Sequence, residues 1–152
     1  MQTSKGKTHL GDSINLIKLC VGAEQVQDLL DWQAETRLRW PDGLPRHITR
    51  MWPKREAELL NGGSLYWVFK GEVLARQRVL RLEEAQGADG ILRCAIVLDP
   101  EVVLTRAAPR RPFQGWRYLK PEEAPADLPS GHQTEDELPE ALSRALAEIG
   151  VL

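Results

Sequence analysis

Apolar and polar positions change period several times along this chain, and each change marks an element. Residues 14–21, INLIKLCV, form a short apolar run with β-branched members and read as a strand that Gly22 stops. From about Glu24 to Trp40 the apolar positions take a helical spacing, with Val26, Leu29, Leu30, Ala34, Arg37 and Trp40 on one broad face. Trp32 falls off that stripe. Glu24, Asp28 and Asp31 crowd the first half and Arg37 and Arg39 the last turn, which suits the helix dipole. Pro41, Asp42, Gly43 and Pro45 make a loop.

The next stretch alternates. A short strand is predicted over His47–Met51 and a two-turn helix over Lys54–Leu60, opened by Pro53 and closed by Asn61-Gly62-Gly63. Ser64–Lys70 puts Leu65, Trp67 and Phe69 on one face and Tyr66, Val68 and Lys70 on the other. Gly71 breaks or bends the strand, and Glu72–Leu82 continues extended, with Val73, Ala75, Gln77 and Val79 sharing a face, as a hairpin or a strand folded over a glycine kink. Gln86–Gly90, QGADG, is a turn. Ile91–Leu98 is the most hydrophobic strand and is expected at the sheet centre. Glu101–Thr105 reads as a short strand or a turn, and Phe113–Leu119 as a last strand with a bulge at Gly115. Pro121–Gln133 reads as a connector and Pro139–Ile149 as a terminal helix.

These elements predict an α+β fold. Its sheet is mixed or antiparallel, five- or six-stranded and curled into a small barrel, with an N-terminal and a C-terminal helix. Residues 1–13 read as a flexible arm, 14–120 as a single domain, and 121–152 as an acidic connector and helix packed on or near it. The length, 152 residues, suits one domain that buries about two thirds of its unfolded surface. No apolar run approaches the roughly 18 residues of a membrane span, and the first residues lack the apolar core of a secretory signal, so a cytoplasmic protein is expected. Cys20 and Cys94 sit in apolar surroundings and are expected as free thiols.

Net charge changes the picture. The whole chain carries −2, but residues 46–120 hold 14 basic against 8 acidic residues, and residues 121–152 hold 1 against 8. A basic middle with interleaved aromatics keeps nucleic-acid or nucleotide binding open, and the acidic tail could fold back on it.

Several motifs fail. Gly6-Lys7-Thr8 lacks the earlier glycine and the preceding strand of a phosphate loop. Gly62-Gly63-Ser64-Leu65-Tyr66 ends on Tyr66 where a nucleophile elbow needs glycine. His9, His47 and His132 are scattered and no cysteine pair has ligand spacing, so no metal site or cofactor is expected.

Three constellations survive. Arg50, Lys54 and Arg55 surround Trp52, and Lys54 and Arg55 open the predicted helix. The positive dipole end disfavours cations there by roughly a few tenths of a kcal/mol, a conflict that a bound phosphate or carboxylate would relieve. The alternative is a solvated face balanced by Glu56 and Glu58. The second group is Arg110, Arg111, Gln114, Trp116, Arg117 and Tyr118, where arginine forks could hold phosphate and rings could stack a base. The alternative is an edge strand with Trp116 and Tyr118 in the core. The third is Arg76, Gln77, Arg78 and Arg81, with Gln77 facing inward, where a buried amide needs partners.

The segments LIKLCVG, HITRMWPKR, ELLNGGSLYWVFKG, ARQRVL and RRPFQGWRYL resemble a family of short bacterial proteins, domain of unknown function 1489, over about Leu16 to Leu128. The resemblance implies kinship and no particular reaction. A helix ending in LLNGG, then a strand, a glycine and another strand, is also similar to PUA and ASCH-type domains. That likeness implies a small curled sheet that binds RNA or modified nucleosides.

The reading that follows is a binding domain for RNA or a nucleotide-like ligand. Arg50, Lys54 and Arg55 would meet phosphate, with Arg110 and Arg111 assisting, and Trp52, Trp116 or Tyr118 would stack a base beside Gln114. Two alternatives belong to other classes. One is a small hydrolase acting on a nucleoside or amide, with Lys54 as base and Glu56, Glu58 or Glu72 as partner. The other is a protein-interaction module whose acidic tail docks on a basic partner.

Overall fold

The computed structural model describes residues 12–133. The first strand, β1 (Asn15–Leu19), leads through Gly22 into helix α1 (Val26–Thr36), which tightens into a 3₁₀ turn at Arg37–Arg39. The side chain of Asp28 accepts from the backbone N–H groups of Glu24 and Gln25 at 2.9 and 3.1 Å and so fixes the start of the helix. Then come β2 (Arg46–Thr49), a single helical turn α2 (Glu56–Leu59), and the hairpin of β3 (Ser64–Phe69) and β4 (Glu72–Gln86). Four further strands follow: β5 (Leu92–Leu98), β6 (Val102–Pro109), β7 (Trp116–Leu119) and β8 (Asp127–Gln133).

The α+β class stands, but the sheet has eight strands rather than five or six. Two features account for the difference. The segment after Asp99-Pro100, open between a strand and a turn, is a full strand, β6, and both it and β5 run antiparallel along β4. The segment read as a connector supplies β8, which pairs with β6. The 15 residues of β4 hold the two halves of the sheet together. Its first half lies between β3 and β6, while its second half pairs with β5, which in turn pairs with β2. A register shift between Val79 and Arg81 marks the bend. Ile91–Leu98 was expected at the centre; β3 and the first half of β4 take that place instead. On the far side of β3, β1 pairs in parallel and β7 closes the edge antiparallel.

Every residue of β3 is buried. Leu65, Trp67 and Phe69 enter the main core with Leu16, Val26, Leu29, Leu59, Ile96 and Leu104. Tyr66 and Val68 enter a smaller core on the opposite face, with Ile17, Val73 and Leu119. A strand covered on both faces loses the polar half of its alternation. The turn into β4 places Lys70 and Gly71 at φ 48° and 83°, the left-handed pair that a two-residue hairpin loop requires. Gly63 is required for another reason: a Cβ there would stand 2.1 Å from the Ile14 carbonyl oxygen and 2.5 Å from that of Leu59.

The face of α1 differs from the expected stripe. Val26, Leu29, Gln33 and Thr36 are buried, while Ala34 is exposed. Gln33 exchanges two side-chain hydrogen bonds, at 2.9 and 2.7 Å, with Gln77, which is fully buried. Amide pairing lets a polar residue occupy a core position that hydrophobicity alone assigns elsewhere. The expected terminal helix at Pro139–Ile149 and most of the N-terminal arm lie outside the described residues. No helix among the described residues is long and apolar enough to cross a membrane.

Candidate functional site

Strand β1 places Lys18 in register between Trp67 of β3 and Trp116 of β7. This lysine is half-buried and shares its face with the main core. Beside it, the turn Leu19–Ala23, α1 and β2 enclose a cavity of about 300 Å³. Lys18, Cys20, Asp28, His47, Trp67 and Trp32 supply its side-chain chemistry. Trp32, the helix residue off the apolar stripe, is half-exposed, and Val21 next to it is 83% exposed.

Burial sets the protonation of this wall. Desolvation, with the nearby charge of Lys18, lowers His47 to about 4, so its imidazole is neutral at neutral pH. The ring stands edge-on to Trp67, with centroids 6.1 Å apart. Burial also lowers Lys18, opposed by Cys20. Burial raises Cys20 to about 12, with Lys18 pulling it down and Asp28 pushing it up. The cavity therefore presents a lysine with a weakened hold on its proton, a neutral imidazole able to accept, and aromatic walls. In the sequence, His47 is weighed only as a metal ligand, and none of these cavity residues enters the surviving candidate sites. The available signal was a lone lysine inside an apolar strand.

The two basic and aromatic segments do meet. Trp116 donates its indole N–H to the Met51 carbonyl at 2.9 Å. The Tyr118 hydroxyl accepts from the backbone N–H groups of Lys54 and Arg55 at 2.8 and 3.1 Å. Trp116 is buried and stands edge-on to Tyr118, with centroids 4.9 Å apart. These rings thus fasten the chain over residues 51–55, and Trp116, 5% exposed, has no open face for a base.

The expected anion site at the helix start is rearranged. The helix opens at Glu56, so Lys54 and Arg55 precede it. Arg55 makes a two-pronged ion pair with Glu58, at 2.7 and 2.8 Å, and lies over the Tyr118 ring. Its charge is answered within the chain, as the solvated-face alternative required. Arg50, Trp52 and Lys54 are exposed. Lys54 makes no ion pair among the described residues, and Glu58, one carboxylate proposed for it, is committed to Arg55.

Arg110 and Arg111 lie elsewhere. They are exposed, and the Arg110 backbone N–H binds the Gly71 carbonyl at the β3–β4 turn. Gln114 is exposed as well. In the third constellation, Arg76 faces away from the main core and pairs with Asp127, while Arg81 pairs with Glu83 and Asp42. Gln77 is the inward member. It accepts from the Trp67 indole N–H at 2.9 Å and donates to the Asp99 carbonyl at 3.0 Å. Among the described residues, no three His, Cys, Asp or Glu side chains gather as metal ligands would.

A family model described as Protein of unknown function (DUF1489) matches residues 16–152. The chain belongs to the DUF1489 family. The match reaches beyond Leu128 through the acidic tail, further than the expected extent. No curated protein and no solved structure matches the chain. Kinship in DUF1489 therefore names relatives and no reaction, and the cavity must be read from its own geometry. In this DUF1489 chain, the cavity wall combines β2 with β1, α1 and β3, and the last three also bury the main core.

Proposed function

We propose that the chain binds a nucleotide-like ligand, free or as one residue of an RNA strand. Its flat heterocycle enters the cavity beside Trp67, Trp32 and His47. The observation that carries this reading is the cavity itself: about 300 Å³, walled by indoles, with Lys18 and a neutral His47 on one side. That volume is at the small end for ligand sites and suits a single ring system. Proteins that take an unstacked base hold it between aromatic faces and read its edge by hydrogen bonds. Lys18 donates to a ring carbonyl, and neutral His47 accepts from a ring N–H or donates with its other nitrogen. Exposed Arg50 and Lys54 follow β2 on the chain anchored by Trp116 and Tyr118, which supports a role for them at an attached phosphate.

The test is titration of intrinsic tryptophan fluorescence with nucleosides and nucleoside monophosphates. Saturable quenching is expected, weakened at least about tenfold by Lys18→Ala or His47→Phe. Arg50→Ala/Lys54→Ala is expected to weaken only the monophosphates and to flatten their salt dependence. Absence of saturation with every nucleoside, or wild-type affinity in Lys18→Ala, overturns the reading.

A further inference from the structure

The sheet has a second concavity, on the face away from the main core. It measures about 380 Å³ and is floored by Asn15, Ser64, Tyr66 and Arg76, with Pro121 and the stretch from Ala124 to Asp127 at its rim. These floor residues come from three adjacent strands: β1 pairs with β3, and Tyr66 of β3 stands opposite Arg76 of β4.

The floor has hydrogen-bonding capacity that the described residues leave unused. Tyr66 is 7% exposed, and its hydroxyl makes no hydrogen bond among the described residues. Asn15 is equally buried; its carbonyl oxygen accepts from the Ser64 backbone N–H at 2.9 Å, but its amide nitrogen donates to no described residue. Ser64 Oγ accepts from Arg76 at 3.1 Å, which leaves its own O–H to donate. Three neutral donors thus line one cavity without partners among the described residues. Buried groups of this kind ordinarily find a partner, in the protein, in water or in a ligand.

The charges point to the kind of ligand. Arg76 is already held by Asp127 through two hydrogen bonds of 2.8 and 2.7 Å. An added anion would meet a guanidinium whose charge is answered and a carboxylate that repels it. Burial raises the pKa of Tyr66, and the nearby Arg76 opposes that shift, so the phenol stays a neutral donor. Hydroxyl and amide groups that both donate and accept match ligand hydroxyls, which do the same.

We propose that this concavity is a binding site for a neutral polyhydroxylated ligand, a sugar ring, held by Tyr66, Asn15 and Ser64. The site lies across the sheet from the Lys18 cavity and stands independently of it.

The chain has two tyrosines, so full-length protein carrying 3-fluorotyrosine gives two fluorine resonances, and Tyr118→Phe assigns the one from Tyr66. Titration with D-glucose and with maltose is expected to move the Tyr66 resonance saturably and leave that of Tyr118 in place. Saturation-transfer signals from the sugar are expected to fall at least tenfold in Tyr66→Phe. That variant removes a hydroxyl with no hydrogen bond among the described residues, so its urea midpoint should equal the parent's. A Tyr66 shift with inorganic phosphate and not with either sugar overturns the proposal in favour of an anion site. No shift with any of the three overturns it in favour of a cavity that holds water only. A lowered urea midpoint in Tyr66→Phe overturns its premise. Nucleoside quenching of tryptophan reads the other cavity, so failure of one proposal is distinguishable from failure of the other.

Discussion

The indole N–H of Trp67 donates to the side-chain oxygen of Gln77 across 2.9 Å, joining the wall of the Lys18 cavity to a fully buried amide. The same amide holds Gln33 of α1 and the carbonyl of Asp99. One side chain thereby ties the central strands, the helix and the turn after β5. Gln77→Leu strands the Trp67 and Gln33 groups in the core. A loss of about 2–4 kcal/mol is expected from urea unfolding, since each orphaned buried group costs about 1–3 kcal/mol. Gln33→Leu/Gln77→Leu should lose less than the sum of the single variants, because the two amides fail together.

Tyr118→Phe tests how the chain before α2 is held. The hydroxyl serves two backbone donors, Lys54 and Arg55, at a partly exposed position. Its removal is expected to cost about 0.5–1.5 kcal/mol. The distinguishing measurement is amide hydrogen exchange, which should speed up at Lys54 and Arg55 while the amides of β3 stay protected. Equal exchange at those two positions would remove this tyrosine from its anchoring role.

Much of the fold can be read from the sequence because its local signals agree with its tertiary ones. Lys70-Gly71, Gly62-Gly63 and the alternation of Leu65, Trp67 and Phe69 each mark a feature that the structure contains. The strand β8 is different. Residues 127–133 combine proline, glycine and polar residues, and their extended conformation comes from pairing with β6 rather than from any period of their own. The meeting of the Arg50–Arg55 and Trp116–Tyr118 segments was a question that the sequence could pose. Its answer depends on the parallel β1–β3 pair and on β7 at the edge, contacts between residues far apart in sequence. Lys18 stayed hidden because one lysine in an apolar run looks like a strand-edge charge until β3 and β7 close on both sides.

Cys20 should be a slow thiol despite lining a cavity. Burial raises it to about 12, and burial raises Cys94 to about 11. At pH 8 the thiolate fraction of each lies far below that of a free cysteine, whose pKa is about 8.5. Reaction of the native protein with a disulfide reagent is expected to be slower than that of a free thiol by roughly a hundredfold or more. Both cysteines should react at ordinary rates in denaturant. A fast native phase lost in Cys20→Ala would show that the wall around Cys20 is wetter than the packing indicates.

His47 makes stability depend on pH with a definite sign. Its folded value of about 4 lies below the roughly 6.5 of an unfolded histidine. Between those values the unfolded chain takes up a proton that the folded chain refuses, so stability rises with pH across this window. The contribution is complete above about pH 6.5 and is lost as pH falls towards 4. The group is partly accessible, and its linkage is about 2–3 kcal/mol at most. Urea unfolding at pH 7, 5.5 and 4.5 should therefore show a decline that is smaller in His47→Gln. The parent and variant curves should run parallel above pH 7 and converge below 5. Parallel curves down to pH 4.5 would mean that His47 protonates in the folded state as easily as in the unfolded chain. In that case the imidazole on the cavity wall is not the neutral acceptor that nucleobase reading requires.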